Sequence, residues 1–324
     1  MSAEPVRATF HDLAPEPESF RDCVLAGLSQ RQKEIPCCFL YDERGSALFE
    51  AICETPEYYP TRTETAILEN CAAEIGAIMG PHCQLVEFGS GSSRKVRRLL
   101  EAFERPSSYV AIDISREALQ QAADDVAALF PAIDVRAVCA DYMAPLDLAD
   151  IPEPPEGRRL GFFPGSTIGN LDRLSAIDFL RRCRRVVGPV GAMLVGVDLK
   201  KDARLLHAAY NDDAGVTASF TLNLLTRINR ELDGDFDLAR FAHDASYNPR
   251  DGKVEIFIRS LAEQVVTVAG RRFHFRAGEG IHTEDSCKYS VPEFQQLAMR
   301  AGFAPRHAWT DPARLFSVHL LTPA

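Results

Sequence analysis

Leu85-Val86-Glu87-Phe88-Gly89-Ser90-Gly91-Ser92-Ser93-Arg94-Lys95 is the stretch whose reading decides the fold. A short apolar run ends in an acid, two glycines flank a serine, and a helix follows. Val96, Leu99, Leu100 and Phe103 recur at i, i+3, i+4 and i+7, the spacing of one buried helix face. Strand, Gly-rich turn and helix N-terminus together suit a nucleotide-like ligand, because glycine lets the ligand approach closely and free N–H groups point at it. Two acids recur where the next strands should end: Asp113 after Tyr109-Val110-Ala111-Ile112, and Asp141 after Val135 to Ala140. Asp113 lies 22 residues beyond Gly91, the distance at which a carboxylate takes ribose hydroxyls in a doubly wound fold. Arg94 stands where a dinucleotide fingerprint needs its third glycine. That departure favours S-adenosylmethionine, which has no pyrophosphate to cradle, over NAD.

Around this core the strand/helix alternation is regular from Leu85 to Val197, the mark of a parallel α/β sheet. Strands are predicted near 84–88, 109–113, 134–139, 159–164 and 191–197, and helices near 94–105, 115–129 and 173–187. Upstream, helices are predicted from about Ser19 to Arg31 and from Gly45 to Cys53, the latter with Ala47, Leu48, Ala51 and Ile52 inward. Thr61 and Glu64 stand in capping-box spacing. Leu148 to Gly157, with Ile151-Pro152-Glu153-Pro154-Pro155, reads as a loop. After Asp198 the pattern changes. Lys200 to Asn229 reads as helical, Val254, Ile256 and Ile258 alternate with Glu255, Phe257 and Arg259, and a hairpin turns at Ala269-Gly270. From Ser290 the α/β style returns, with a Ser290/Glu293 capping box and a last strand over Leu315–Leu321. The expected architecture is a doubly wound, Rossmann-like α/β domain over 61–197 plus 287–324, with an α+β second lobe over 1–60 plus 198–286.

Composition sets the outer limits. The chain has 324 residues, 46% hydrophobic and 25% charged, enough for a well-packed core. No apolar stretch is long enough for a transmembrane helix, and Met1 to Glu18 lacks the apolar region of a signal peptide. The formal net charge of −10 argues against a nucleic-acid partner. The Arg94-Lys95-Val96-Arg97-Arg98 run reads as a solvated helix face. Nine cysteines are scattered without a Cys-x-x-Cys, and no two of the eight histidines stand at metal-ligand spacing, so a reducing cytoplasm and no metal are expected. Pro36-Cys37 precedes the Gly-rich loop and lacks the basic context of a cytosine-methylating nucleophile. A monomer is expected.

Five segments carry a resemblance: Tyr41-Asp42-Glu43-Arg44-Gly45-Ser46-Ala47-Leu48-Phe49, Pro56-Glu57-Tyr58-Tyr59-Pro60-Thr61-Arg62, the Gly-rich loop, Phe162-Phe163-Pro164-Gly165-Ser166-Thr167-Ile168-Gly169-Asn170, and His282-Thr283-Glu284-Asp285-Ser286-Cys287-Lys288-Tyr289. In order and in sum they resemble the histidine-specific, S-adenosylmethionine-dependent Nα-methyltransferases of ergothioneine biosynthesis. The resemblance implies that 61–197 plus 287–324 is an S-adenosylmethionine-dependent methyltransferase domain and 1–60 plus 198–286 a substrate lobe, and that three methyl groups pass to the α-amine of L-histidine, giving hercynine. It implies cofactor contacts from Gly89, Lys95, Asp113, Asp141 and Tyr142. Asp113 suits the ribose hydroxyls and Asp141 the adenine amine. The implied substrate residues are Tyr41, Phe49, Tyr58, Asn170, Tyr210, Ile256, Glu284, Asp285 and Ser286. Asn170 and Tyr210 can donate to a carboxylate, while Glu284 and Ser286, two apart on an extended segment, can hold both imidazole nitrogens. Methyl transfer is an in-line displacement that needs a neutral amine held in position. No general base is evident, and the Gly165-Ser166-Thr167 turn, through its carbonyls and the Thr167 hydroxyl, is the candidate to orient the amine. Ile256 replaces a methionine expected beside the imidazole and narrows that slot. Rivals are methylation of another amino acid such as tryptophan, a non-catalytic S-adenosylmethionine-binding protein, an NAD-linked oxidoreductase, and a helical Glu284/Lys288 surface pair in place of an imidazole site.

Overall fold

The computed structural model describes residues 8–13, 20–91, 93–143, 154 and 156–324, and of Ser93 the backbone only. Most of the predicted 148–157 loop, Ser19 and Ser92 lie outside the described residues. The chain divides into two compact units. Unit 1 is Met1–Pro15, Pro60–Lys200 and Lys288–Ala324, and unit 2 is Glu16–Tyr59 and Lys201–Cys287.

Unit 1 is built on one eight-stranded sheet. With strands numbered along the whole chain, it contains β1 (Thr9–Asp12), β3 (Gln84–Phe88), β4 (Ser108–Asp113), β5 (Asp134–Cys139), β6 (Arg159–Phe163), β7 (Ala192–Asp198), β13 (Phe303–Thr310) and β14 (Phe316–Pro323). Their order is β1-β5-β4-β3-β6-β7-β14-β13. The strands from β1 to β7 pair in parallel, and β14 and β13 add an antiparallel edge. Every residue of β3, β6 and β7 is buried, as expected of strands covered on both faces. Helices α3 (Tyr59–Met79), α4 (Ser93–Ala102) and α5 (Arg116–Leu129) contribute Leu68, Ile75, Leu99, Leu119 and Val126 to one core with Leu85, Ala111 and Leu194 of the sheet. Phe179 of α6 (Arg173–Val187) packs on Phe88 at a centroid distance of 5.8 Å. The reversal between β3 and β6 places the Gly-rich loop at the carboxyl edge, where open α/β sheets bind ligands.

Unit 2 holds α1 (Phe20–Ser29), β2 (Lys33–Glu34), α2 (Glu43–Cys53), α7 (Ala203–Tyr210), α8 (Val216–Glu231) and the strands β8 (Phe241–Asn248), β9 (Lys253–Ser260) and β12 (Gly280–Cys287). Its sheet runs β2-β12-β9-β8. The alternation read in β9 is the observed one, with Val254, Ile256 and Ile258 buried. The hairpin of β10 (Gln264–Val268) and β11 (Arg271–Phe275) turns at Ala269 and Gly270, both at positive φ, as a two-residue type I′ loop requires.

Several expectations change. Residues 9–12 do not join the substrate lobe; they form the sheet edge beside β5 in unit 1. α3 begins at Tyr59, so Thr61 is inside the helix, and the Glu64 carboxylate meets Lys95 and Gly165 instead of capping it. α2 buries Gly45 and Ile52, while Ala47 and Ala51 are exposed. The 200–229 helix is two helices, broken at 211–215, where Asp212 accepts from the Val216 and Thr217 N–H groups. The capping box on α9 (Val291–Arg300) is present as read.

The chain leaves unit 1 after β7 and returns at Lys288, and a buried ion pair joins exit to return. Lys288 Nζ lies 2.7 Å from Asp198 Oδ2, with both side chains at most 1% exposed. Tyr289 N–H donates to the Asp198 carbonyl, and Lys200 N–H to the Tyr289 carbonyl. Removing one partner of such a pair leaves a buried charge. Lys288→Met is therefore expected to lower unfolding free energy by about 3–5 kcal/mol, measured by urea titration; a loss within error of zero would contradict this role.

Candidate functional site

In unit 1, the carboxyl edge of the sheet gathers acids around a glycine turn. Gly89 follows β3 at φ +79°, a conformation most side chains avoid, and a Cβ there would lie 3.8 Å from the Tyr142 ring. Tyr142 packs edge-on against Phe163 and Phe179 at 5.8 and 5.9 Å, which fixes its ring beside the loop. Asp113 ends β4 and accepts the Ser115 N–H at 2.9 Å. Burial pushes its carboxyl up, against backbone N–H donors that lower it. Asp141 accepts the Met143 N–H at 2.7 Å, in a turn after β5. The structure thus brings Gly89, Asp113 and Tyr142 to one edge, with Asp141 just beyond the neighbouring strand.

Sequence reasoning missed two acids here. Glu87, on β3, is 2% exposed and accepts the Tyr109 hydroxyl at 2.5 Å. Burial pushes its carboxyl up to about 8, opposed by the Tyr109 hydrogen bond and Lys95, and reinforced by Asp113 and Glu64. Glu64, fully buried on α3, accepts from Lys95 and from the Gly165 N–H. Glu87 carried no motif beyond its place at the end of an apolar run, and Glu64 was read only in capping-box spacing with Thr61.

The turn after β6 is conformationally unusual. Gly165 and Ser166 are both at positive φ, and a short 3-10 turn, Thr167–Asn170, follows. Ser166 is not glycine, and a left-handed serine costs of order 1 kcal/mol or more, a strain that clusters at functional sites. Asp198 N–H donates to the Ser166 hydroxyl at 2.9 Å, and the Thr167 hydroxyl donates to the Pro164 carbonyl at 2.9 Å. Asn170 closes the turn, partly exposed.

In unit 2, aromatic rings form a chain. Tyr41 meets Phe49 at 5.6 Å and Phe220 at 5.3 Å, Phe49 meets Tyr58 at 6.3 Å, and Tyr58 meets Tyr210 at 6.3 Å. Tyr41 is held by the start of α2, where Asp42 accepts from Gly45 N–H, Asn223 and Arg230. Burial would raise the Asp42 carboxyl, but those donors win and hold it below the usual range. Asp42 in the Tyr41–Phe49 motif is thus a cap, not a ligand group. Tyr210 and Ser286 share a hydroxyl–hydroxyl hydrogen bond of 2.8 Å. The His243 ring N–H donates to the Tyr210 carbonyl at 2.8 Å, pinning the end of α7 to β8.

Strand register decides the rest. Glu284 stands opposite Ile256 and Ser286 opposite Val254, so all four share one face, against which Leu206 and Tyr210 pack. Asp285 does not join them. It lies on the other face, opposite Glu255, with its carboxylate 2.7 Å from Lys253 and 2.9 Å from His282. A residue between two same-face neighbours of a strand must point away from them, and Asp285 is withdrawn as a substrate residue. The helical Glu284/Lys288 pair is also absent, since Glu284 is in β12 and Lys288 pairs with Asp198. Cys37 was not expected beside this face, yet the Glu284 charge adds to burial in pushing its thiol up, the reverse of a nucleophile's environment. No cluster able to hold a metal ion exists among the described residues.

A family model described as "Histidine-specific methyltransferase, SAM-dependent" matches residues 20–323. The chain is 41% identical to a histidine N-alpha-methyltransferase of Mycolicibacterium smegmatis, over 94% of this chain and 94% of that one. It is 38% identical to the protein of the same name from Mycobacterium tuberculosis, over 93% and 94%. It is 32% identical to ergothioneine biosynthesis protein 1 of Neurospora crassa, over 89% of this chain and 33% of that much longer one.

The raised Glu87 carboxyl makes a pH prediction for this edge. Its folded value of about 8 exceeds the ordinary 4.5, so folding holds a proton through that window. The associated stability is complete below pH 4.5 and lost as pH rises through 8. Glu87→Gln keeps an acceptor for Tyr109 but cannot titrate. Between pH 5 and 8 the parent's unfolding free energy should fall more steeply than the variant's, by up to roughly 1 kcal/mol per pH unit. Parallel urea-derived profiles would remove this assignment.

Proposed function

The chain belongs to the histidine-specific, S-adenosylmethionine-dependent methyltransferases, and on that footing we propose that it transfers three methyl groups to the α-amine of L-histidine, giving hercynine, a step toward ergothioneine. S-adenosylmethionine is its co-substrate, and the residues of unit 1 fit it. The buried Ser90 hydroxyl has no hydrogen-bond partner among the described residues, Gly89 keeps the loop free of a side chain, and Asp113 ends the next strand.

Bound S-adenosylmethionine supplies a methyl group on a sulfonium sulfur; the amine lone pair forms the N–C bond as the C–S electrons pass to sulfur. The chain's own residues bind and orient. In this reading Asp113 takes the ribose hydroxyls, Asp141 the adenine amine, and Gly89, Lys95 and Tyr142 complete the cofactor contacts. From unit 1, Asn170 donates to the substrate carboxylate, and the Gly165 carbonyl and Thr167 hydroxyl orient the amine. From unit 2, Tyr210 donates to the carboxylate, Glu284 and Ser286 hold the imidazole, and Tyr41, Phe49, Tyr58 and Ile256 form the apolar surround. Water takes the amine proton.

The observation that carries the histidine reading is the shared face of Glu284, Ser286 and Ile256, with Tyr210 hydrogen-bonded to Ser286. It pairs one carboxylate and two hydroxyls with an apolar wall, the chemistry a neutral imidazole with one N–H and one lone pair requires. The same reading has a cytoplasmic monomer acting without a metal, a membrane or nucleic acid. No described helix is long and apolar enough to cross a membrane.

Purified protein given S-adenosylmethionine and each of the twenty amino acids should yield trimethylated histidine by mass spectrometry; a different preferred acceptor would overturn the substrate assignment. Glu284→Ala removes one charge-assisted hydrogen bond and opens volume. It should lower kcat/KM for histidine about tenfold or more and raise any activity on tryptophan. An unchanged ratio of the two would remove Glu284 from the ring site.

A further inference from the structure

Glu64 is a buried carboxylate on a helix, and its setting serves no fold requirement of that helix. One oxygen, Oε2, accepts from both the Lys95 ammonium and the Gly165 N–H, the latter at 2.8 Å. The other, Oε1, is buried without a partner among the described residues. That oxygen presses on the backbone of β7, where a Cβ at position 196 would come within 1.9 Å of it; only Gly196 leaves room. Lys95 is in the first turn of α4, directly after the Gly-rich loop, and its side chain is 13% exposed. Gly165 opens the strained turn that ends at Asn170.

A buried ion pair of this kind contributes little to stability compared with an apolar pair of similar volume. What it provides is geometry: a charge-assisted bond fixes a long, flexible lysine, and the same oxygen fixes a backbone N–H. We propose that Glu64 is a positioning residue for the methyl transfer, setting with one carboxylate both the Lys95 ammonium beside the cofactor loop and the Gly165–Thr167 turn that orients the amine. This rests on the reading of unit 1 as the S-adenosylmethionine-binding half.

The test is a four-corner cycle of Glu64→Gln and Lys95→Met, read by calorimetric binding of S-adenosylmethionine. Each single variant should weaken binding about tenfold. The double variant should be no weaker than the worse single, because groups that act as one unit are not additive. Gln can still accept the Gly165 N–H and Ala cannot, so Glu64→Ala should lower kcat for histidine well beyond Glu64→Gln. Glu64→Asp keeps the charge but is one methylene too short to reach both groups, and it should cut kcat about tenfold if the Gln variant does not fold. A double variant weakened about a hundredfold, single variants that bind like the parent, or a Glu64→Asp protein with parental kcat and affinity would each overturn the proposal. A parent protein that does not bind S-adenosylmethionine would instead overturn the reading on which it rests.

Discussion

The buried pair of Asp198 and Lys288 is the constraint on which unit 1 depends. β7 must end so that the chain can depart for residues 201–287, yet β14 must still pair with β7 along Met193–Asp198. A long excursion leaves exit and return free to separate, and rejoining them costs loop-closure entropy. The ion pair, two backbone hydrogen bonds across Asp198, Lys200 and Tyr289, and a bridge between Leu199 and Tyr289 close that gap at a few residues. With exit and return fixed, Ser166 also gains its partner, because the Asp198 N–H that ends β7 donates to its hydroxyl. The closure of the sheet and the shape of the turn after β6 therefore share one residue.

Electrostatics at the same edge follow from strand geometry. Parallel strands bring their carboxyl ends together, so acids at the ends of β3 and β4 become neighbours, and Glu64 approaches from α3. The Glu87 carboxyl feels Asp113 and Glu64 as repulsive charges and Lys95 as the compensating one. Burial favours the protonated form of Glu87, against the Tyr109 hydrogen bond that favours the carboxylate, and so limits the mutual repulsion of the three acids.

Much of this was legible in the sequence where local and tertiary demands agree. β3, the Gly-rich turn and α4 were readable because burial on both strand faces and one helix face leaves an apolar signature, and β9 because a sheet with one face packed alternates. The failures have physical causes. β13 contains Pro305 and Arg306 at a break in register and is an edge strand, so its sequence carries no clean period. β8 has only two fully buried residues in eight and reads as polar coil. Thr61 and Glu64 matched a capping-box spacing by coincidence: α3 already begins at Tyr59, so Thr61 lies inside the helix, and spacing alone cannot register that. The roles of Glu64 and Glu87 were invisible, since a buried acid is defined by partners far away in sequence: Lys95, Gly165 and Tyr109.

Asp285 shows how a single irregularity divides one strand into two chemistries. In a regular β12, residues 282, 284 and 286 would share a face, putting the His282 imidazole beside Glu284. The register breaks between His282 and Glu284, with Thr283 buried and its hydroxyl donating to the Ile256 carbonyl at 3.2 Å. An extra residue in a strand reverses the parity of everything before it. His282 thus falls opposite Phe257, on the face of Asp285 and Lys253, and bonds Asp285 three residues on. The imidazole that β8 adds to the Glu284 face, His243 opposite Ile258, gives its ring N–H to the Tyr210 carbonyl and not to the carboxylate. The bulge thus keeps the His282 ring off the Glu284 face, at the cost of one unpaired residue in the ladder.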